Sequence, residues 1–278
     1  MKIIYVILVV LLGLVSLQAQ TTVEETVSKI ETVEEYAPKA GTVALGASAN
    51  IANIFTNSGD GVNVPTFYLQ CYVANKTALR ATFGINYSNS MDKYYVQDDA
   101  AFVINPLSNL QVVDTKQLLS NNYNTSFAIQ QFIGDGKLKG FIGLQGIYIA
   151  STSHTSNAYA NPMNAINPFP SSYAGAYTGN LRTLEINSNN SYSYGGGILA
   201  GFEYFVFPRL SIGGEISVNA LYSYSGQTYR KSETVINGEV VKVDQAVSPG
   251  SKSLDLKTLG YASKDMKEQI GFYLLYHF

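Results

Sequence analysis

Ser153 and His154 stand next to each other in the stretch "STSHTSN". A histidine that can take a serine proton is the core of a nucleophilic acyl-transfer site. No supporting motif surrounds this pair, and serine is common nearby, so it reads as part of a solvated surface and not as a catalytic dyad. His277 is the second of only two histidines and Cys71 is the single cysteine, so no clustered set of imidazoles and thiolates is available for a transition metal. No intrachain disulfide can form. The chain has no phosphate loop, paired-carboxylate motif or nucleotide fingerprint. A net charge of −2 removes the electrostatic case for nucleic acid. No catalytic residue, metal or cofactor is therefore assigned. What remains are four charged residues in otherwise uncharged surroundings, Arg80, Lys139, Glu203 and Glu215. Their role depends on the elements that carry them.

Those elements are read from composition and from period-two alternation. Charged residues make up 14% of the chain, well below the quarter usual in soluble domains, while it holds 21 Tyr and 24 Gly and no Trp. No long apolar run follows the N-terminal segment, so helical membrane spans are not expected. Ile270, Phe272, Leu274, Tyr276 and Phe278 form one apolar face, against a mixed face of Gln269, Gly271, Tyr273, Leu275 and His277. That is the pattern of a strand with lipid on one side. The same alternation recurs around 43–51, 66–73, 79–88, 123–133, 139–149, 194–206 and 210–224. The fourth of these is interrupted by Gln131, and the fifth is blurred by Phe141, Ile147 and Ile149. With the terminal strand this makes about eight.

The connections alternate strictly. Short turns are expected at Ala74-Asn75-Lys76-Thr77, Gly134-Asp135-Gly136-Lys137 and Phe207-Pro208-Arg209, and long loops at about 53–63, 89–121, 151–190 and 225–267. A closed antiparallel transmembrane β-barrel, with short periplasmic turns and long extracellular loops, explains that separation. It also explains a chain that stops on an apolar strand. In lipid every backbone group must be paired, so the terminal strand must close the sheet against the strand at 41–52. Phe278 then becomes an interfacial anchor.

In this frame Arg80, Lys139, Glu203 and Glu215 point into the lumen near the short turns. An eight-stranded interior is just wide enough for side chains to fill it. The four are read as an ion-paired plug, with inward Gly46, Gly84, Gly143, Gly201 and Gly213 making room. A selectivity ring in a narrow channel is the alternative. Cys71 falls on the lipid face as a small apolar residue.

Residues 1–19 have a basic start, an apolar core and a small residue before Gln20, and read as a secretory signal peptide. Residues 20–40 form a periplasmic leader. Its "TVEETVSKIETVEE" at 22–35 is either a mobile acidic segment or a short amphipathic helix that docks on a partner, ended by Pro38. The barrel domain is 41–278. Within the 151–190 loop, "NAYANPMNAINPFPSSYAGAYTGN" is rich in residues that make adaptable contacts, and it reads either as a solvated surface loop or as a binding loop.

The terminal aromatics Tyr276 and Phe278 resemble the signal by which the outer-membrane insertion machinery recognises barrels. The glycine of that signal would fall on Tyr273, whereas this chain has Gly271. The Ala19-Gln20 junction resembles signal cleavage sites common in Bacteroidota. "YAPKAGTVALGASAN" at 36–50, "TALRATFGINY" at 77–87, "GFEYFVFPRLSIGGEIS" at 201–217 and the Phe-ended last strand are similar to a family of small Bacteroidota outer-membrane β-barrel proteins. The resemblance implies a barrel in the outer membrane, with lipid and the insertion machinery as partners. It carries no activity.

The functional expectation is a non-enzymatic outer-membrane protein that presents long loops for surface contact or an accessory role, with an unidentified protein partner at the loops or at the 21–40 leader. A narrow channel for small solutes is the second reading. A surface hydrolase acting on lipid or peptide is the third.

Overall fold

A computed structural model describes residues 38–48, 66–259 and 271–278. The expected signal peptide, the leader up to residue 37, the 53–63 connection and the distal part of the last connection lie outside the described residues.

The alternating segments form β1 (Val43–Ser48), β2 (Thr66–Ala74), β3 (Thr77–Gln97), β4 (Gln111–Ile133), β5 (Leu138–Ala158), β7 (Leu181–Phe207), β8 (Leu210–Ser225) and β12 (Gly271–His277), with the two-residue β6 (Tyr177–Thr178) before β7. Each pairs antiparallel with the next. β12 returns to β1 in the register Ala44↔His277 to Ser48↔Tyr273, so eight strands close into a ring. The short turns gather at one end. There Lys76 of the first turn pairs with Asp135 of the second at 2.8 Å. Gly134 enters that second turn at φ 101°, a backbone region that glycine reaches without strain.

Alternation sorts the side chains by face. Leu79, Phe83, Phe127, Ile142, Ile198 and Ile212 point outward and remain exposed on the finished barrel. Tyr123, Tyr148 and Tyr194 stand at the far rim of this apolar band, with Tyr204, Phe207, Tyr276 and Phe278 at the turn rim. From Tyr204 to Tyr194 on β7 is about ten residues, close to the nine to eleven a tilted strand needs to cross a bilayer. Gln131, which interrupts the pattern of β4, lies at the turn end of its strand and accepts from the Thr77 hydroxyl at 2.9 Å.

The structure corrects the expected long loops. β3 and β4 stay paired from Thr77↔Gln131 up to Gln97↔Gln111, and β5 runs to Ala158. The chain after β8 forms β9 (Thr228–Ile236), β10 (Glu239–Ser248) and β11 (Ser251–Leu259). Most of 89–121, 151–190 and 225–248 is thus a sheet that continues beyond the apolar band, in the order β10-β9-β7-β5-β4-β3, while β11 runs back along β8 beside the band, from Ser251↔Ser225 to Leu259↔Ser217. The alternation signal ends where the apolar band ends, because both faces beyond it can meet water. The backbone ladder needs no such signal. The β3–β4 connection carries α1 (Asp99–Ile104), whose N-cap Asp98 accepts from the Ala101 amide at 3.0 Å.

Candidate functional site

The barrel interior is filled in two layers near the short turns. Arg80 on β3 and Glu215 on β8 come from strands four pairings apart in either direction round the ring, so their side chains meet across the axis. The Arg80 Nη2 is ion-paired with the Glu215 Oε2, and both side chains are buried. The guanidinium centre lies 5.3 Å from the Tyr68 ring, 5.7 Å from Tyr273 and 5.9 Å from Phe141, within the reach of cation–π attraction. Tyr68 and Tyr273 stack at 5.1 Å. Four of the inward glycines do make room, but for rings and neutral chains and not for the charged ones. A Cβ on Gly213 would strike the Tyr273 ring and one on Gly84 the Asn124 amide, while one on Gly201 would meet both the Gly214 carbonyl and the Phe141 ring, and one on Gly46 both the Leu274 carbonyl and the Leu275 side chain. Gly143 faces the backbone of β4 instead.

Closer to the turns lies a second cluster, centred on Glu203, which is fully buried. Its Oε1 accepts from Ser211 Oγ at 2.7 Å and lies 3.0 Å from His277 Nε2. Its Oε2 is 3.5 Å from the Tyr72 hydroxyl, which accepts from Gln70 Nε2 at 2.7 Å. Lys139 is the register partner of Glu203 across the β5–β7 ladder, and its Nζ sits 5.4 Å from the Phe205 ring centre. The four expected lumen residues therefore divide between two layers, Arg80 with Glu215 in one and Lys139 beside Glu203 in the other.

His277 belongs to this second layer, and sequence reasoning did not include it. The signal was present: His277 shares the inward parity of Tyr273 and Leu275 on β12, both of which are buried. Serine, histidine and glutamate meet here, yet not as a nucleophilic triad. Ser211 Oγ and Glu203 Oε1 both approach the same ring nitrogen, Nε2. A triad needs the carboxylate on the opposite nitrogen, where it orients the base. Above these layers neutral hydrogen bonds continue the filling, between the Thr82 and Ser126 hydroxyls at 2.6 Å and from Gln145 Nε2 to Asn219 Oδ1 at 2.8 Å.

A second constellation caps the inner face of the extended sheet. Segment 159–176, expected to be part of an open loop, is folded back and held by buried polar anchors. Asp114 is fully buried and accepts from the amides of Ala160 at 3.0 Å and Tyr173 at 3.1 Å. Asp99 accepts from Asn167 Nδ2 at 2.7 Å and from the Ser171 amide at 2.8 Å. Arg182 pairs with Glu233 at 2.6 Å, donates to the Asn161 carbonyl at 2.9 Å and lies 4.4 Å over the Tyr159 ring. Tyr173 stacks between Tyr94 at 4.6 Å and Tyr159 at 6.0 Å. Burial pushes the Tyr159 and Tyr173 hydroxyl pKa values above the ordinary tyrosine value. An open cavity of about 640 Å³ lies between residues 93–97 of β3 and Ser171–Ala174.

Ser153 and His154 end on opposite faces of β5, because neighbours on a strand alternate. His154 Nδ1 contacts Asn187 Oδ1, so the adjacent pair forms no dyad. Among the described residues no three potential metal ligands gather.

No family model matches this chain, and no curated protein matches it. Three solved structures align over most of its length. The major outer membrane protein of Thermus thermophilus is 12% identical, covering 85% of this chain and 98% of its own, with a TM-score of 0.34. Acinetobacter baumannii CarO2 is 11% identical, covering 87% and 100%, with a TM-score of 0.31. CarO of the same organism is 11% identical, covering 87% and 97%, with a TM-score of 0.28. These likenesses are distant, and the barrel assignment stands on the closed ring of hydrogen-bonded strands.

Proposed function

We propose that this chain is a non-enzymatic outer-membrane barrel with a closed lumen, whose work is done by the sheet it holds outside the cell. The observation that carries this reading is the double layer across the interior, a buried ion pair among aromatic rings and a buried carboxylate held by hydroxyl and imidazole groups. Arg80 with Glu215, and Glu203 with His277, Ser211 and Tyr72, join facing walls of the barrel, and a permeating ion would have to break both layers. The apolar band with its aromatic rims supports membrane insertion, the short turns facing the periplasm and the extended sheet facing out. The signal peptide takes the chain across the inner membrane, and Tyr276 and Phe278 at the exposed rim of β12 act as the recognition element for insertion.

Planar-bilayer recording on the purified, refolded protein tests this. The expected result is no steady conductance in the wild type or in Arg80→Ala/Glu215→Ala, whose second layer is intact, and the appearance of ion flow once Glu203→Ala and Tyr72→Ala are added. Steady wild-type conductance would replace the closed barrel with a narrow channel. For the assembly element, Phe278→Ala should lower the yield of heat-modifiable barrel in membrane fractions, and an unchanged yield would make that residue incidental.

A further inference from the structure

β10 is the edge of the extended sheet. β9 pairs with one side of it, and among the described residues no strand pairs with the other. Its hydrogen-bonding parity follows from the turn. Asn237 and Gly238 both have positive φ, 51° and 84°, as a two-residue hairpin requires, so the flanking Ile236 and Glu239 exchange the first pair of bonds. Counting on from there, Val241 and Val243 bond to β9. The amides and carbonyls of Val240, Lys242, Asp244 and Ala246 point to the open side.

The charges on this edge are arranged in rows. Arg182, Glu233 and Lys242 lie opposite one another across β7, β9 and β10, with alternating sign. Glu185, Lys231 and Asp244 form a second alternating row beside the first. An isolated lysine on an edge strand normally discourages pairing. Here Asp244 stands two residues away on the same face, and that changes the outcome for one partner, a second copy of the chain. If two β10 edges pair antiparallel about Val243, each Lys242 falls opposite Asp244 of the other copy. The first row then continues into the second without a break in alternation. Centring the pair on Lys242 or on Asp244 instead sets like charges face to face.

We propose that β10 pairs with β10 of a second copy, centred on Val243, and that the two copies sit in facing membranes. This rests on the outer-membrane orientation proposed above. The need for facing membranes is geometric. All copies in one membrane send β10 back toward that membrane in the same sense, so an antiparallel partner must be inverted. Val243 pairs with Ser232, and Ser232 with Thr183, about eleven residues beyond Tyr194 at the rim of the apolar band. At about 3.3 Å per residue on strands tilted by about 40°, the two membranes would stand roughly 50 to 60 Å apart. Backbone bonds supply the attraction, and the two Lys242–Asp244 contacts set the register and restrict the partner.

The test is vesicle clustering, followed by light scattering, with the full chain reconstituted in neutral phosphatidylcholine vesicles. Wild-type vesicles should cluster. Lys242→Glu and Asp244→Lys, each alone, set like charges opposite and should reduce clustering about tenfold. Mixing Lys242→Glu vesicles with Asp244→Lys vesicles restores both contacts in the mixed pair, and clustering should return. The exchanged variant carrying Lys242→Asp and Asp244→Lys together should cluster by itself. Single variants that cluster like the wild type, or a mixture that stays dispersed, would overturn the proposal. So would stronger clustering of Lys242→Ala, which would make the lysine a guard against pairing. Heat-modifiable mobility and protease access at Asn237 are read on the same vesicles. Dispersed wild-type vesicles with the sheet outside refute the pairing alone, whereas failure to insert refutes the membrane reading on which it rests.

Discussion

Removing Arg80 and Glu215 together should destabilise the barrel by less than the sum of the two single removals. Both side chains are buried, and each is the other's ion-pair partner. Arg80→Ala leaves a carboxylate without its cation in a low-dielectric interior, and Glu215→Ala leaves the cation without its carboxylate. Breaking a buried pair from one side costs about 3 to 5 kcal/mol. Arg80→Ala also loses the contacts with Tyr68, Tyr273 and Phe141, worth about 0.5 to 1 kcal/mol each where such contacts are exposed and more when desolvated, so it should be the costlier of the two. The double variant leaves no orphaned charge. Its cost should fall short of the sum of the singles by about 2 to 3 kcal/mol, at the upper end of coupling between contacting residues. Arg80→Ala combined with Glu203→Ala should couple more weakly, since Glu203 bonds to Ser211 and His277 in the other layer. Urea unfolding in lipid vesicles, followed by heat-modifiable gel mobility, measures both cycles. Strict additivity for Arg80 and Glu215, or equal coupling of Arg80 to both glutamates, would refute the two-layer account.

Three further outcomes are expected. Gly213→Ala places a methyl against the Tyr273 ring and should destabilise the barrel by about 1 to 3 kcal/mol, read as a lower urea midpoint. Asp114→Ala removes the acceptor of two cap amides and should open segment 159–176 to protease with little change in barrel mobility; wild-type resistance would show that the cap is held elsewhere. The hydrogen bond and the charge of Lys76 hold the Asp135 carboxyl below its ordinary pKa, so the stabilisation from this exposed pair is present above that ordinary value and is lost as pH falls through the depressed one. Lys76→Met should return Asp135 to the ordinary range in a carboxyl-carbon NMR titration, and an unmoved titration would show that Lys76 is not the cause.

The strands of the apolar band were legible in the residues alone because a period of two is a local property. Phe83 and Phe127 face out, and Arg80 and Thr82 face in, on any register that keeps one face in contact with lipid. Closure was legible too, since in lipid an apolar strand with an unpaired edge must find a partner. The inward parity of Arg80, Lys139, Glu203 and Glu215 follows from the same counting. Which cation meets which carboxylate does not. That depends on the stagger of strands on opposite walls, which sets Arg80 level with Glu215 and leaves Glu203 to His277. The extended sheet was hidden for a different reason. Beyond the tyrosine rim neither face is required to be apolar, so the pattern stops while backbone pairing continues from β3 into β4 up to Gln111. The cap at 159–176 was hidden as well, because it is built on contacts between residues far apart in sequence. Asp114 reaches Ala160 and Tyr173, and Arg182 reaches Glu233, only once four strands have been laid side by side.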